Sequence, residues 1–483
     1  MPIHRKRMLA SLLAAGFAGS ALAGDGDVLA ALDAYAPRQA QVAMQLWQQP
    51  ELGYQERQSS QLLQQELRQA GFRIEEGVAG MPTAFVASHG RRGNGPVIAL
   101  LAEMDALPGM AQAAEPVRQP IPGQDAGQAC GHNLFGAAAV GAARAIAQWL
   151  DASGMAGEVR LYGTPAEEGG SGKVYMTRAG LFDDVDVVLH WHPGSRNSAA
   201  QGTSLANISG KFRFRGVAAH AAIAPDRGRS ALDAVEALDY MANLMREHVP
   251  DGTRIHYVIS NGGSAPNVVP DFAEVYYYVR HTDPTVVRDV FERLNKAAEG
   301  AALGTGTRME FEQTGGVFSL LPNDALGQVM QAALQQVGGM HYDAAEQAFA
   351  ETLQQSLERH PALAEAGQLQ PYRADVAGSA STDVGDVSWN VPTVGLGIAT
   401  WVPGTPAHSW QAVAASGSSL GAKGALNAAK VLALAAVKLF QSPATVSQAR
   451  EEFERRRGEQ FHYVPLLQRD APPLDYRKPA SID

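Results

Sequence analysis

The stretch VIALLAEM, residues 97–104, is apolar at consecutive positions until Glu103 interrupts it. A strand with one wet face alternates polar and apolar side chains, whereas a strand covered on both faces does not need to. Asp105 and Pro108 follow and close the run. The stretch therefore predicts a central strand with both faces covered. Three further runs read the same way: VRLYGT (159–164), VDVVLHWH (185–192) and TVGLGIA (393–399). A helical pattern at 55–70 precedes the run at 97–104, and another at 136–150 separates it from the run at 159–164. This alternation predicts an α/β fold with a mostly parallel sheet, whose ligands bind at the carboxyl ends of the strands.

Working outward, the middle of the chain has a different period. SLANISGKFRFRG (204–216) alternates like a half-buried strand, and residues 228–248 form an amphipathic helical pattern. Strands are predicted near 254–260 and 272–280, then a helix from 285 to about 300, then a strand at 308–314. The order βαββαβ predicts a ferredoxin-like domain inserted into the first. The expected division is a catalytic domain in two parts, 24–203 and 316–445, with a lid and dimerisation domain at 204–315. A charged, then Pro-rich C-terminal arm, 446–483, is expected to lie extended over the surface.

The N-terminus carries His4, Arg5, Lys6 and Arg7, an apolar run from Met8 to Ala18, and Ala21-Leu22-Ala23. That pattern predicts a secretory signal peptide, residues 1–23, and an exported protein, periplasmic or secreted. The apolar run is too short to span a bilayer, and no membrane insertion is expected. A net charge of −10 argues against nucleic acid and anionic membranes as partners.

An exported chain usually pairs its cysteines, yet Cys130 is the only one. It stands two residues before His132 in a Gly-containing loop, a spacing that lets both reach one ion, and a metal-bound thiolate is shielded from oxidation. A nucleophilic role is disfavoured because His132 is too close in sequence to take the thiol proton. Glu167 and Glu168 follow the second strand; adjacent carboxylates point apart, so one can bind a metal while the other remains a base. His190 and His192 end the third strand, and His408, in GTPAHSW, is offered from the far end of the chain.

Several ordered segments carry a resemblance: LLAEMDALPG (100–109), GQACGHNLFGAAAVGAA (127–143), GTPAEEGGSGK (163–173), GVAAHAAIAPDRGRSALDAV (216–235), SAPNVVPDFAEVYYYVR (264–280) and GSASTDVGDVSW (378–389). Together they resemble the metal-dependent peptidase and amidohydrolase family of aminoacylases, hippurate hydrolases, plant indole-acetyl-amino-acid hydrolases and p-aminobenzoyl-glutamate hydrolases. The ACGHNLFG and STDVGDVSW versions most resemble the B-subunit group of the last. The likeness runs from residue 49 to about 440.

The resemblance implies two divalent metal ions per subunit, zinc or manganese, with cobalt also suited. Cys130 would bind or bridge them, His132, Glu168 and His408 would be ligands, and Glu167 would be the general base. Alignment on the following proline selects His192 as the remaining ligand; the hippurate-hydrolase pattern selects His190, and both stay open, with His192 ahead. Where the family's peptidase branches have His-x-Asp, this chain has Glu103-Met104-Asp105, and Asp105 would orient the ligands. His220 would reach from the lid toward a partner subunit's cleft, Asn267 would contact substrate, and Arg280 would hold a carboxylate.

The implied activity is hydrolysis of the amide bond of N-acyl amino acids such as p-aminobenzoyl-glutamate, or of a small peptide, in a homodimer or a heteromer with a related chain. An aminoacylase or dipeptidase of broader specificity is the alternative enzyme. An exported acyl-amino-acid binding protein without catalysis is the alternative from another class.

Overall fold

The computed structural model describes residues 24–477; the expected signal peptide lies outside them. Its larger layer is a six-stranded sheet in the order Arg73–Glu76, Phe85–Arg91, Gly157–Thr164, Val97–Glu103, Val187–Leu189, Thr393–Val394. The last four strands run parallel, and the first two are an antiparallel hairpin added at one edge. Every residue of Val97–Glu103 is buried, as its uninterrupted apolar run requires.

The helix His132–Ser153 packs on this strand and against two long helices, Asp25–Gln48 and Ser419–Gln441. Alanine and glycine fill much of its buried surface, so the helix axes approach closely. Ser419–Gln441 is apolar and long enough to cross a membrane, but most of it is buried in this core. Helix Asp25–Gln48 was not anticipated from the sequence.

The runs 185–192 and 393–399 do not each make one strand. Both break at the same level: Val187–Leu189 pairs with Thr393–Val394 in the main sheet, and His192–Gly194 pairs with Gly397–Ala399 in a separate ribbon. The backbone N–H groups of His190 and His192 still donate to Val394 and Leu396, at 3.0 and 2.7 Å. The bend carries the strand ends out of the sheet and toward the Cys130 loop.

The second layer unit is an antiparallel sheet in the order Arg254–Asn261, Phe272–His281, Ala206–Arg215, Arg308–Val317. Helices Ala231–Met245 and Pro284–Thr305 cover one face. This is the βαββαβ arrangement with the first and third strands central. Alternation assigns the faces: Ala273, Val275, Tyr277 and Val279 are buried, while Arg213 on the other face pairs with Glu274 and Glu312. Each helix starts where a side chain can accept an end N–H: Ser230 from Asp233, and Asp283 from Thr285 with Pro284 in the first turn.

The C-terminal segment differs from the expected extended arm. Pro443–Arg457 is a helix, of which only Ala449, Glu452 and Phe453 are buried. The chain that follows sinks between the two units, with Leu466 and Leu467 each 2% exposed.

Candidate active site

Cys130 and His132 are presented by the loop that starts helix His132–Ser153. Gly131 between them has φ +77°, and a Cβ there would lie 2.8 Å from Pro193. Only glycine therefore lets this turn approach the His192–Pro193 strand. Asn133 fixes the helix start by donating to the carbonyls of Ala43 and Ser416, at 3.1 and 3.0 Å. The result places Cys130 Sγ 3.4 Å from His192 Nε2.

The Glu167-Glu168 loop is bounded by two residues in left-handed conformation, Ala166 at φ +57° and Ser171 at φ +58°. Such backbone persists only where its surroundings over-determine it. Here side chains from remote segments take up the loop's own peptide groups. Ala166 N–H donates to Glu56 (2.8 Å), Glu168 N–H to Asp105 (2.9 Å) and Lys173 N–H to Asp383 (2.9 Å). Tyr54 donates to the Gly170 carbonyl at 2.6 Å.

Among the described residues, three groups of donor atoms lie within 4.8 Å of one another: Cys130 with His132 and His192; Cys130 with Glu168 and His408; and Glu103 with His132 and Glu167. The first two share one sulfur. Both half-ring assignments suit a ligand. His132 Nδ1 lies 3.0 Å from the Asp105 carbonyl and 3.1 Å from its carboxylate. His192 Nδ1 lies 2.8 Å from the Pro193 carbonyl. Carbonyls only accept, so each Nδ1 carries a proton, and each Nε2 is the ring atom left to take an ion.

A divalent cation fits this donor set. Glu103 Oε2, His132 Nε2 and Glu168 Oε1 are buried without a hydrogen bond. Glu103 and His132 approach to 3.0 Å, and Glu168 and His408 to 3.1 Å, without hydrogen-bond angles. Burial pushes the Cys130 thiol pKa up, and the nearby Glu168 and Glu167 add to that; a cation is what would favour the thiolate. Burial would lower the His132 pKa, but Cys130, Glu103 and Asp105 outweigh it and raise it. Burial raises the Glu167 pKa, reinforced by Glu103, Glu168 and Asp383.

Of the two strand-end histidines, His192 belongs to a donor group and His190 to none. A Cβ on Gly395 would come within 2.8 Å of His190 Nε2. Its ring lines a cavity of about 250 Å³ with Gln201, Thr203 and Pro322, and burial lowers its pKa to about 4. His408 is half exposed at φ +57°, with its N–H donating to the Ala129 carbonyl at 3.0 Å.

Sequence reasoning missed a buried ionic cluster beside the donors. Lys173 is fully buried, with Nζ 2.8 Å from Glu103 and 2.6 Å from Asp383. Despite desolvation, Asp383, Glu103 and Glu167 hold its pKa up. Burial raises Asp383 to about 6 against the pull of Lys173. Burial and Asp105 likewise raise Glu56, to about 8. Lys173 closes the GTPAEEGGSGK motif, the one signal that could have identified it.

The lid candidates stand apart from these groups. His220 and Asn267 are exposed on adjoining loops, joined by Ala221 N–H donating to the Asn267 carbonyl at 3.0 Å. Arg280 lies where the lid meets the catalytic unit. It donates to Ser381 Oγ at 3.2 Å, and its buried Nε has no partner.

A parallel-stranded layer with thiol, imidazole and carboxylate donors at its strand ends, carrying an inserted antiparallel lid, has the architecture of a hydrolase acting on amide bonds. Comparison with known proteins agrees. The peptidase dimerisation domain matches residues 206–305. The B-type p-aminobenzoyl-glutamate hydrolase subunit of Escherichia coli (strain K12) is 40% identical over 465 residues, covering 90% of this chain and 96% of that one. The Xaa-Arg dipeptidase of Mus musculus is 29% identical, covering 88% and 90%. A Bacillus subtilis dinuclear metal-binding peptidase shares the fold with a TM-score of 0.58 at 20% identity, covering 85% of this chain and 99% of that one. The chain belongs to the M20 family of peptidases and amidohydrolases.

Proposed function

We propose that this amidohydrolase cleaves p-aminobenzoyl-glutamate or a closely related N-acyl amino acid, using two divalent cations held by Cys130, His132, His192, Glu168 and His408. The observation that carries the reading is the pair of donor groups sharing the Cys130 sulfur, with Glu167 beside them. The substrate class rests on the 40% identical relative, which is named for that activity. Thiolate and imidazole donors favour zinc, and the carboxylates also admit manganese or cobalt.

When bound, the ions supply Lewis acidity to the scissile carbonyl and acidify water. The chain's own groups do the rest. Glu167, whose carboxylate lies within reach of Glu103 and His132 at the edge of the donor set, takes a proton from the attacking water and returns it to the leaving amine. Asp105 holds His132 and the Glu168 peptide in place through its two carboxylate oxygens. His220 Nδ1 accepts from the N–H groups of Ala222 and Ile223, at 3.2 and 3.3 Å, so Nε2 carries the proton and faces outward as a donor. Presented from the lid of a second subunit, His220 polarises the carbonyl, with Asn267 beside it. Arg280 takes the substrate carboxylate.

The dimerisation-domain match and the relative's designation as a subunit support a dimer, either of this chain or with a related one. The basic and apolar leader supports export.

The test is hydrolysis of p-aminobenzoyl-glutamate, hippurate and Xaa-Arg dipeptides by metal-loaded protein, against Glu167→Gln at matched metal content. Turnover of p-aminobenzoyl-glutamate that falls about 10²–10⁴-fold in the variant is expected. Equal rates in both proteins would refute the role of Glu167, and saturable binding without turnover would favour a binding protein.

A further inference from the structure

The chain after helix Pro443–Arg457 takes a course that the reaction above leaves unused. Arg288 donates to the Val464 carbonyl at 3.0 Å. Gln313 donates to the Leu466 carbonyl (2.8 Å) and accepts from Gln468 N–H (2.9 Å). Leu466 is part of the lid core, whereas Leu467, the next residue, is part of the catalytic core. The strap lies directly on Gly316, where a Cβ would come 2.6 Å from Leu467 N.

Beyond this point it crosses to the Glu167-Glu168 loop. Tyr175 donates to the Ala471 carbonyl at 3.2 Å. The ring of Tyr476 then meets Tyr54 edge-on at 5.8 Å. Its hydroxyl donates to the Glu168 carbonyl at 3.2 Å, and Arg477 donates to the same oxygen. Opposite, a Cβ on Gly53 would lie 2.3 Å from the Tyr476 hydroxyl, so this approach depends on a glycine.

The geometry has a mechanical consequence. Asp105 holds the N–H of Glu168 and the strap holds its C=O. With both flanking peptide planes tethered, the Cα–Cβ direction of Glu168 is fixed, which narrows the directions its carboxylate can take toward Cys130 and His408. The loop is in left-handed backbone at both ends and has no helix or strand to stiffen it.

We propose that Tyr476, with Arg477, is a positioning residue of the active site, and that the strap makes the aim of Glu168 depend on the seating of the lid. This rests on the metal reading given above. A simple staple between domains would also bury Leu466 and Leu467, but it would have no need of a terminal hydroxyl on the Glu168 carbonyl.

The experiment is titration of metal-free, full-length protein with cobalt(II), in competition with a fluorescent chelator and with the visible absorption of bound cobalt recorded. Tyr476→Phe/Arg477→Gln is compared with the unsubstituted chain and with Tyr175→Phe, which loses a strap contact, to the Ala471 carbonyl, that does not involve the Glu168 peptide. The expected result is cobalt affinity weakened about 10–100-fold in the double variant, the range typical of groups that orient ligands, with an altered absorption band. Tyr175→Phe should match the unsubstituted protein. Tyr476→Phe alone keeps the ring against Tyr54 and serves if the double variant does not fold. Unchanged cobalt affinity and spectrum in the Tyr476 variants, or equal weakening in Tyr175→Phe, would overturn the proposal. Failure of the unsubstituted protein to bind cobalt would refute the metal reading itself and the proposal with it, before any variant is compared.

Discussion

Lys173→Met is the most informative single perturbation of the catalytic unit. The substitution keeps the volume and removes the ammonium paired with Glu103 and Asp383, both of which are at most 2% exposed. A carboxylate left buried without its partner typically costs 3–5 kcal/mol. The chain can lower that cost by taking up a proton. At pH 7 this means protonating Glu103, which Lys173 holds in its charged form and whose unfolded-state pKa is near 4, about 3 pH units away, or about 4 kcal/mol. The two routes agree, so a loss of about 4 kcal/mol is expected.

The sign of its pH dependence follows. In the variant the folded-state pKa of the orphaned carboxylate is raised, so the folded state binds more protons than the unfolded state above pH 4. The variant's stability therefore falls as pH rises, and its deficit shrinks to roughly 1–2 kcal/mol at pH 5. Urea unfolding of metal-free protein at pH 5 and pH 8, followed by tryptophan fluorescence, measures this. All six tryptophans lie outside residues 206–317, and Trp389 alone packs against the lid core, so the signal comes mainly from the catalytic unit. Lys173→Met/Glu103→Gln should recover at least half the loss. A deficit below about 1 kcal/mol, or one equal at both pH values, would refute the charge-compensation argument.

Two further outcomes are expected. Gly131→Ala must place a Cβ 2.8 Å from Pro193 at φ +77°; a destabilisation of about 2 kcal/mol or more and weaker metal binding should appear together, and retention of both would show that the turn is not constrained. Asp386 accepts from Tyr463 (2.7 Å) and from Phe318 N–H (2.9 Å), yet burial raises its pKa to about 7. The folded state thus binds the extra proton between about pH 4 and 7, and stability falls as pH rises through that window, by about 4 kcal/mol at most. Asp386→Asn should flatten that component in urea midpoints at pH 5 and 8; parallel slopes would count against it.

Those groups also mark the boundary of what the sequence reveals. The strand at 97–103 was legible because burial on both faces leaves an uninterrupted apolar run, and the lid because its faces alternate. Cys130, His132, Glu168 and His408 were legible because each sits in a short motif at a strand or helix end. The edge hairpin was not: Arg73–Glu76 is largely exposed and has the composition of a loop. Helix Pro443–Arg457 lacks an apolar stripe and buries only three side chains. Glu56, Tyr54 and Tyr476 act on the Glu167-Glu168 loop from 110 to 308 residues away, and no local pattern encodes such a contact. His190 and His192 could be separated only by the bend that directs one to Cys130 and leaves the other against Gly395.

The position of Thr393–Val394 at the sheet edge has a consequence for how the molecule is made. Val187–Leu189 has its outer partner only after the whole lid has been synthesised. At about 5–20 residues per second, that wait, and the wait for His408, lasts on the order of tens of seconds. Throughout it the nascent chain carries a bare, apolar strand edge, the kind of surface that recruits other strands. The lid, whose strands are contiguous in sequence, can fold during this interval. The donor cluster is therefore split across the lid, and it cannot close around Cys130 until His408 has been delivered.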